Sequence, residues 1–423
     1  MAFNNKQQPQ PAWLKISAGL TALIIVMGCT FISGMLFHAN IYAQSGAPRL
    51  SIVSAADSSA PSGVPSVNGP ANTPKFNTFW EAWFFLNEEF YGDVPIDDER
   101  MYGAIRGMLK TFDDQHTAFL DPVRAGINRE NMGGSFEGIG ASLRLDDSGQ
   151  LMIADPFPDR PAILAGLRPG DIILKIDGES ADSLSLYEAV SKIRGPANTP
   201  VVLTIFRDGE SAPLDVTIVR AKIEIEVVQG ELLSDKVAHI RLTTFNNGAS
   251  DKVLREFQNL QNQGANRIIL DLRSNPGGLL SEAVDVSSLF VNGPITVEKM
   301  KGGKEKIFTS DDSHQGALDV PLVVLVNAGS ASASEIVAGA VQDTQRGLII
   351  GGQTFGKGSV QIPHKLQDGS ELRVTIAEWL TPARRQIHGE GISPDIVVEM
   401  SFEDVKADRD PQLERAIREI LVQ

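Results

Sequence analysis

One cysteine, Cys29, occurs among the 423 residues, so no disulfide can close within the chain. Basic residues are outnumbered, 38 Lys and Arg against 53 Asp and Glu, leaving a formal net charge of −15. A surface of that sign repels a phosphate backbone, so nucleic acid is not an expected partner. Histidine is scarce, six in all, and none falls in a metal-ligand spacing such as H-E-x-x-H. No metal or other cofactor is expected. No internal repeat is present.

Charge is missing altogether from Ile16 to Pro48. Within that stretch the apolar run Ile16–Phe37 is 22 residues long, enough to span a bilayer as a helix. Lys6 and Lys15 precede it and orient the N-terminus toward the cytoplasm. The run exceeds the roughly 7–15 apolar residues of a cleavable signal. The expectation is therefore an uncleaved membrane anchor in residues 1–43, with the rest of the chain on the extracytoplasmic side. A secreted or periplasmic form after cleavage is the alternative.

Beyond the apolar run the chain falls into five blocks of different character. Residues 44–75, rich in Ser, Pro, Ala and Gly, read as a flexible tether. Residues 76–133 read as a helical region that opens with FWEAWFFLNEEFYG, its aromatics suited to core or partner-helix packing. Residues 134–222 are short strands and turns around PG and DG punctuation, with one helix in SLSLYEAVSKIRG. In residues 223–400 strand and helix alternate, and RIILDL and PLVVLV are the continuous apolar runs of a buried parallel sheet. Residues 401–423 close the chain with DPQLERAIREIL, where Asp410 caps, Pro411 opens the helix and Leu413, Ile417 and Leu421 share a face.

The chemistry concentrates in residues 223–400. GGQTFGKGS, from Gly351, contains G-x-x-x-x-G-K, but Gly358 stands where a phosphate loop needs Ser or Thr, and a strand-like SVQIPHKL comes next where a helix should start. Nucleotide hydrolysis is thus a minor alternative. Upstream, NAGSASASEIVAGAVQDTQRG predicts a helix from Ser332 to Arg346. Ser332 with Glu335 fits a capping box, the ordinary role of such a serine. A strand–turn–helix corner at the carboxyl edge of a parallel sheet also suits a nucleophile, and the helix N-terminus suits an oxyanion. With no histidine similarly placed, Lys357 is the simplest base. Burial would favour its neutral form, with apolar Phe355 as a neighbour that could supply it, and Gln361 could hydrogen-bond its amine. The glycine turn in DLRSNPGGLL could offer further oxyanion N–H groups.

The linked motifs SASASEIVAGAVQD and GGQTFGKGSVQ, with Ser332 and Lys357 25 residues apart and DLRSNPGGLL before them, resemble the carboxyl-terminal processing (tail-specific) proteases. The likeness runs from about Phe79 to the C-terminus. It implies an α/β fold, a crotonase-like layered protease core with an inserted PDZ domain, which in this chain follows N-terminal helices and the N-terminal transmembrane helix expected from the apolar run. It implies a Ser–Lys serine endopeptidase in which Ser332 is the nucleophile, Lys357 the general base and Gln361 its orienting partner. Gly278 and Ala333 would donate to the oxyanion, with Gly277 an alternative to Gly278. Asp343 would be a supporting residue. The PDZ domain would bind protein substrates by their C-terminal tails in the loop Phe136, Glu137, Gly138, Ile139 and Gly140, in a groove between the strand 139–145 and the helix 184–193. Arg194 would link tail binding to the dyad, its plainer reading being a solvated arginine at a helix end. The aromatic helices would serve a homodimer or higher oligomer. A membrane-tethered PDZ adaptor without catalysis is the alternative function.

Overall fold

The computed structural model describes residues 74–182, 184–314 and 316–423. The expected membrane span and nearly all of the tether lie outside the described residues. Among the described residues no helix is long and apolar enough to cross a membrane. The chain divides into two compact units, whose described parts are 74–115 and 116–423.

The first unit holds the helices Pro74–Glu89 and Asp97–Leu109 and a closing turn Lys110–Phe112. Asp97, Asp98 and Glu99 fill the first turn of the second helix, where negative charge meets the positive dipole end. Phe79 stacks edge-on against Trp80 at 5.1 Å, and the Arg100 guanidinium lies over the Trp83 ring at 4.3 Å, joining the two helices. Trp80, Phe84 and Phe85 nonetheless stay exposed on this unit.

The second unit begins earlier than expected, inside the block 76–133. The strand Ala118–Leu120 pairs antiparallel with Glu371–Arg373, and the helix Pro122–Met132 comes next, capped by Asp121. These residues belong with the later sheets because their hydrogen-bond partners lie there.

Between residues 141 and 219 an antiparallel sheet runs in the order Ala141–Leu145, Leu151–Pro156, Ile172–Ile176, Pro200–Phe206, Leu214–Val219. Ile153, Ile173, Leu203 and Ile205 point into one core that Ala189 and Ile193 of the helix Leu186–Ile193 close. That helix starts with a capping box, Ser185 and Glu188.

The core domain has a six-stranded sheet in the order Val228–Leu232, Val237–Leu242, Arg267–Asp271, Leu322–Val326, Leu348–Gly351, Ile396–Val397, parallel after the first pair. Val237, Ile269, Val323 and Ile350 are covered on one face by Ala416 and Ile420 of the helix Pro411–Ile420. Asp410 and Pro411 start that helix as their types dictate, but its buried stripe is Gln412, Ala416 and Ile420, while Leu413 and Ile417 flank it and Leu421 is exposed. The small Ala416 lets the helix sit on the sheet. Buried Gln412 keeps its polar atoms paired by donating to the Val398 carbonyl at 2.8 Å and accepting from Arg273.

A second sheet holds Glu371–Leu380 between Ala118–Leu120 and Pro294–Met300, with Ser359–Lys365 also paired to Glu371–Leu380. The helix Ala333–Asp343 packs on Pro294–Met300 of this sheet and on Leu348–Gly351 of the first, so it lies between the layers. That placement accounts for its sequence, since every side chain from Ala333 to Val341 is buried. It ends at Asp343, short of the expected Arg346, because Gln345 turns left-handed and the Arg346 N–H closes onto the Val341 carbonyl at 3.0 Å.

Candidate active site

Three neighbouring parallel strands, ending at Asp271, Val326 and Gly351, release their loops at the same edge of the sheet. Short polar bonds tie the loops together. Asn327 Oδ1 accepts the Ser274 N–H at 2.8 Å, and the Phe355 N–H donates to the Ser330 carbonyl at 3.0 Å. Within SASAS two of the three hydroxyls are committed to backbone carbonyls. Ser330 Oγ donates to Leu272 at 2.7 Å and Ser334 Oγ donates to Asn275 at 2.9 Å. Ser332 stands between them with φ 53° and ψ −112°, and only 3% of it is exposed. An ordinary capping serine has an extended backbone. A non-glycine residue held at positive φ on a strand-to-helix corner is the strained geometry that aims a side chain out of the turn.

Glu335 is the hub of the site. It is fully buried, and its carboxylate accepts four donors from two loops. Oε2 takes the N–H of Ser332 at 2.8 Å and of Lys357 at 2.9 Å. Oε1 takes the N–H of Gly356 and the hydroxyl of Thr354, each at 2.6 Å. One oxygen therefore joins the main chains of Ser332 and Lys357 directly, and their nitrogens are separated by no more than the sum of those two bonds. Burial pushes the Glu335 carboxyl up, and the four donors oppose it. The same contacts explain why the near phosphate loop is no phosphate site. Its inward N–H groups already hold a carboxylate, and a strand, Ser359–Lys365, comes after it.

Lys357 is 3% exposed. Burial is the main force lowering its amine, the nearby Arg373 cation adds to it, Glu335 opposes both, and the pKa is pushed down to about 8. The expected neighbour Phe355 does not supply this burial, for it is 55% exposed. Gly358 packs so closely on His388 that a Cβ would lie 2.3 Å from its backbone nitrogen. Gln361 is buried on the next strand, its amide donating to Ser359 Oγ at 2.8 Å and Thr375 Oγ1 at 3.2 Å.

The first loop lies against the serine. A Cβ on Gly277, φ 99°, would sit 2.8 Å from Ser332 Cβ, so only glycine fits. The Gly277 N–H already donates to Asn275 Oδ1 at 2.9 Å. Gly278, φ 153°, presses on the Phe245 carbonyl.

Residues 236–398 match peptidase family S41, and residues 152–207 match the PDZ domain. A carboxyl-terminal-processing protease of Synechocystis sp. is 39% identical over 346 residues, 80% of this chain and 81% of that protein. The chain belongs to this protease family. It is a serine-type endopeptidase with a PDZ domain. A CtpA-like serine protease of Staphylococcus aureus is 37% identical over 337 residues, 79% of this chain and 67% of that one. The solved photosystem II D1 C-terminal processing protease is 34% identical, covers 75% of this chain and 87% of its own, and superposes with a TM-score of 0.45.

In this protease Asp343 sits at the far end of the helix that Ala333 begins. The helix is eleven residues long, ten steps from start to end, roughly 15 Å at the usual rise. Its carboxylate accepts from the Ala383 N–H at 2.7 Å and from Arg385 Nε at 2.9 Å, so it fastens the helix end to the loop after Glu371–Leu380.

The PDZ residues are placed differently from expectation in one respect. Phe136, Glu137 and Gly138 are not loop but strand, paired with Ile223, Lys222 and Ala221, which leaves Ile139 and Gly140 as the turn before Ala141–Leu145. Ile139 is buried in the PDZ core, and Gly140 at φ 73° faces Arg160 too closely for a side chain. Arg194 is not a solvated helix end. It lies over the Phe136 ring at 4.1 Å and donates to Glu130 at 2.7 Å and Asn131 at 3.0 Å, both on the helix Pro122–Met132.

Three buried charged residues are not legible as such in the sequence. Glu335 is visible there only as half of a capping box. Arg373 and Glu371 alternate with Leu372 and Val374, a pattern that reads as a solvent face, yet both charged side chains are buried.

Proposed function

We propose that Ser332 and Lys357 are the catalytic dyad of an extracytoplasmic endopeptidase that takes protein C-terminal tails in its PDZ domain and cleaves nearby. Neutral Lys357 accepts the Ser332 hydroxyl proton as Oγ attacks the scissile carbonyl. The N–H groups of Gly278 and Ala333 receive the oxyanion, and Gln361 steadies the amine. Gly277 is the poorer donor because its N–H is already given to Asn275. Lys357 then returns the proton to the leaving amine, and water releases the acyl-enzyme. The observation that carries this reading is the single Glu335 oxygen that binds the main chains of both residues.

Covalent labelling with a serine-reactive probe tests it. Labelling should vanish in Ser332→Ala and Lys357→Ala. Parent protein that never labels would favour the non-catalytic PDZ adaptor instead. The rate should also depend on pH in a definite direction. An amine with a pKa of about 8 is neutral in roughly a tenth of molecules at pH 7. Labelling should climb as pH rises through about 8 and fall away below it; a flat profile would speak against Lys357 as base.

Arg194 supports a link between the tail site and the core, because it pairs a PDZ residue with the helix Pro122–Met132. Arg194→Ala should change the rate advantage of substrates bearing an apolar tail by about tenfold, within the usual range of coupling between sites. Cleavage of a short tail-less peptide should not change. Equal kcat/KM ratios for parent and variant would remove the link.

The charge-free run Ile16–Phe37 supports a membrane anchor with the protease on the extracytoplasmic side. The exposed aromatics of residues 76–90 support self-association through that region.

A further inference from the structure

We propose that Arg273 is a positioning residue for the reaction: anchored by Asp410 and Gln412 at the start of the C-terminal helix, it holds the loop 272–278 in the setting that grips the Ser332 corner and aims Gly278. The proposal rests on the assignment of Ser332 as nucleophile and of Gly278 and Ala333 as oxyanion donors.

The loop is held from two sides. Its main chain grips the residues around Ser332. The Leu272 carbonyl accepts from Ser330 Oγ at 2.7 Å, and the Asn275 carbonyl accepts from Ser334 Oγ at 2.9 Å and from the Ala331 N–H at 3.0 Å. Arg273 stands between those two gripping residues, and its side chain reaches the other way. Nη1 donates to Asp410 Oδ1 at 2.8 Å and to Gln412 Oε1 at 3.2 Å. Nε and Nη2 fork onto the two oxygens of Asp271 at 2.9 and 2.6 Å, and the Arg273 N–H donates to the same carboxylate at 3.0 Å. Ala416 and Ile420 seat the helix Pro411–Ile420 on the sheet, so its first residues form a fixed post.

Stability alone is a poor account of this arrangement. Asp271 is 1% exposed, and a buried ion pair contributes little compared with apolar residues of the same volume. What a forked guanidinium supplies is direction. The loop has need of it. Ser274, next to Arg273, is at φ 58°, and Gly277 follows at φ 99°. A serine persists in that region only where its surroundings over-determine it. Here Arg273 fixes one side, and Asn327 Oδ1 takes the Ser274 N–H at 2.8 Å on the other. With the anchor gone, the loop relaxes about Ser274 and the Gly278 N–H leaves the place where the oxyanion forms. An oxyanion donor acts in the transition state, so the loss belongs in kcat and not in KM.

The test compares Asp410→Ser/Gln412→Met with the parent, both full-length, on a fluorogenic peptide with an apolar C-terminal tail. Rates are measured well below both melting temperatures and divided by the number of sites titrated to completion with a serine-reactive fluorophosphonate. Serine keeps the helix cap, methionine keeps the bulk of Gln412, and Asp271 stays paired with Arg273. kcat should fall about tenfold, less than the 10²-fold lost on a displacement of ~1 Å, with KM unmoved. Asp410→Asn keeps both the cap and an oxygen for Arg273, and should recover most of the rate. If the double variant does not fold, Asp410→Ser alone decides by the same measurement. Parental kcat per titrated site, whatever the melting temperature, would reduce Arg273 to a structural role, and so would a change confined to KM. Ser332→Ala separates the two levels. If it neither cleaves nor labels while the double variant keeps the parental kcat, the inference fails and the dyad stands. If Ser332→Ala still cleaves, both fall.

Discussion

Lys357→Met should lower proteolysis on the order of 10⁴-fold, the scale on which loss of one member of a catalytic unit is felt. It should also make the protein more stable. The sign comes from the amine's two environments. Its pKa drops from 10.5 in the unfolded chain to about 8 in the fold, so between those values the unfolded state binds more protons. Below pH 8 the fold therefore carries the full cost of a buried ammonium, about 3 kcal/mol at 1.36 kcal/mol per unit. That cost fades as pH rises from 8 to 10.5 and is gone above. Methionine has a similar length and no charge, so chemical denaturation at neutral pH should show a gain of up to about 3 kcal/mol over the parent. The gain should shrink at alkaline pH. A variant that is inactive and also less stable at neutral pH would mean that Lys357 packs as a structural residue rather than as a strained base.

Glu335→Ala should disable the enzyme through its architecture. The carboxylate is the acceptor for three backbone N–H groups and one hydroxyl, all in the interior. Removing it strands those donors, at about 1–3 kcal/mol for each one left unpaired. It also severs the bond that holds the Lys357 loop against the Ser332 corner. The expected outcome is a clear fall in melting temperature together with a loss of activity of at least about 10²-fold, since reacting groups displaced by ~1 Å lose that much. Glu335→Gln is the sharper probe. It keeps the shape but turns an NH₂ toward donors, so it should also be impaired. Full activity in Glu335→Gln would show that the two loops hold their places without the charged acceptor.

Much of this site is legible along the chain because its parts are local. Strand, turn and helix succeed each other within PLVVLVNAGSASASEIV, and the turn must lie at the carboxyl end of its strand. Asp410 and Pro411 announce a helix start for similar reasons. What could not be read is which residues meet across loops. Glu335 reads as a cap from its spacing to Ser332, and nothing local says that its carboxylate also receives Gly356 and Lys357. Phe355 looks like the greasy neighbour of the lysine but is exposed, and the burial comes from the layers around the loop. FEGIG reads as a loop because of its glycines, whereas its first three residues find ladder partners at Ala221–Ile223, far along the chain.

The division has a simple cause. Hydrophobic periodicity, caps and glycine turns act over a few residues, so the alternation of strand and helix along residues 223–400, the Ser332 corner and the glycine-flanked Lys357 were written into the amino acids themselves. Protonation and strain depend on what surrounds a group in three dimensions. The buried amine near pH 8 and its Glu335 tether arise when residues more than twenty positions apart are brought together and water is driven from around them.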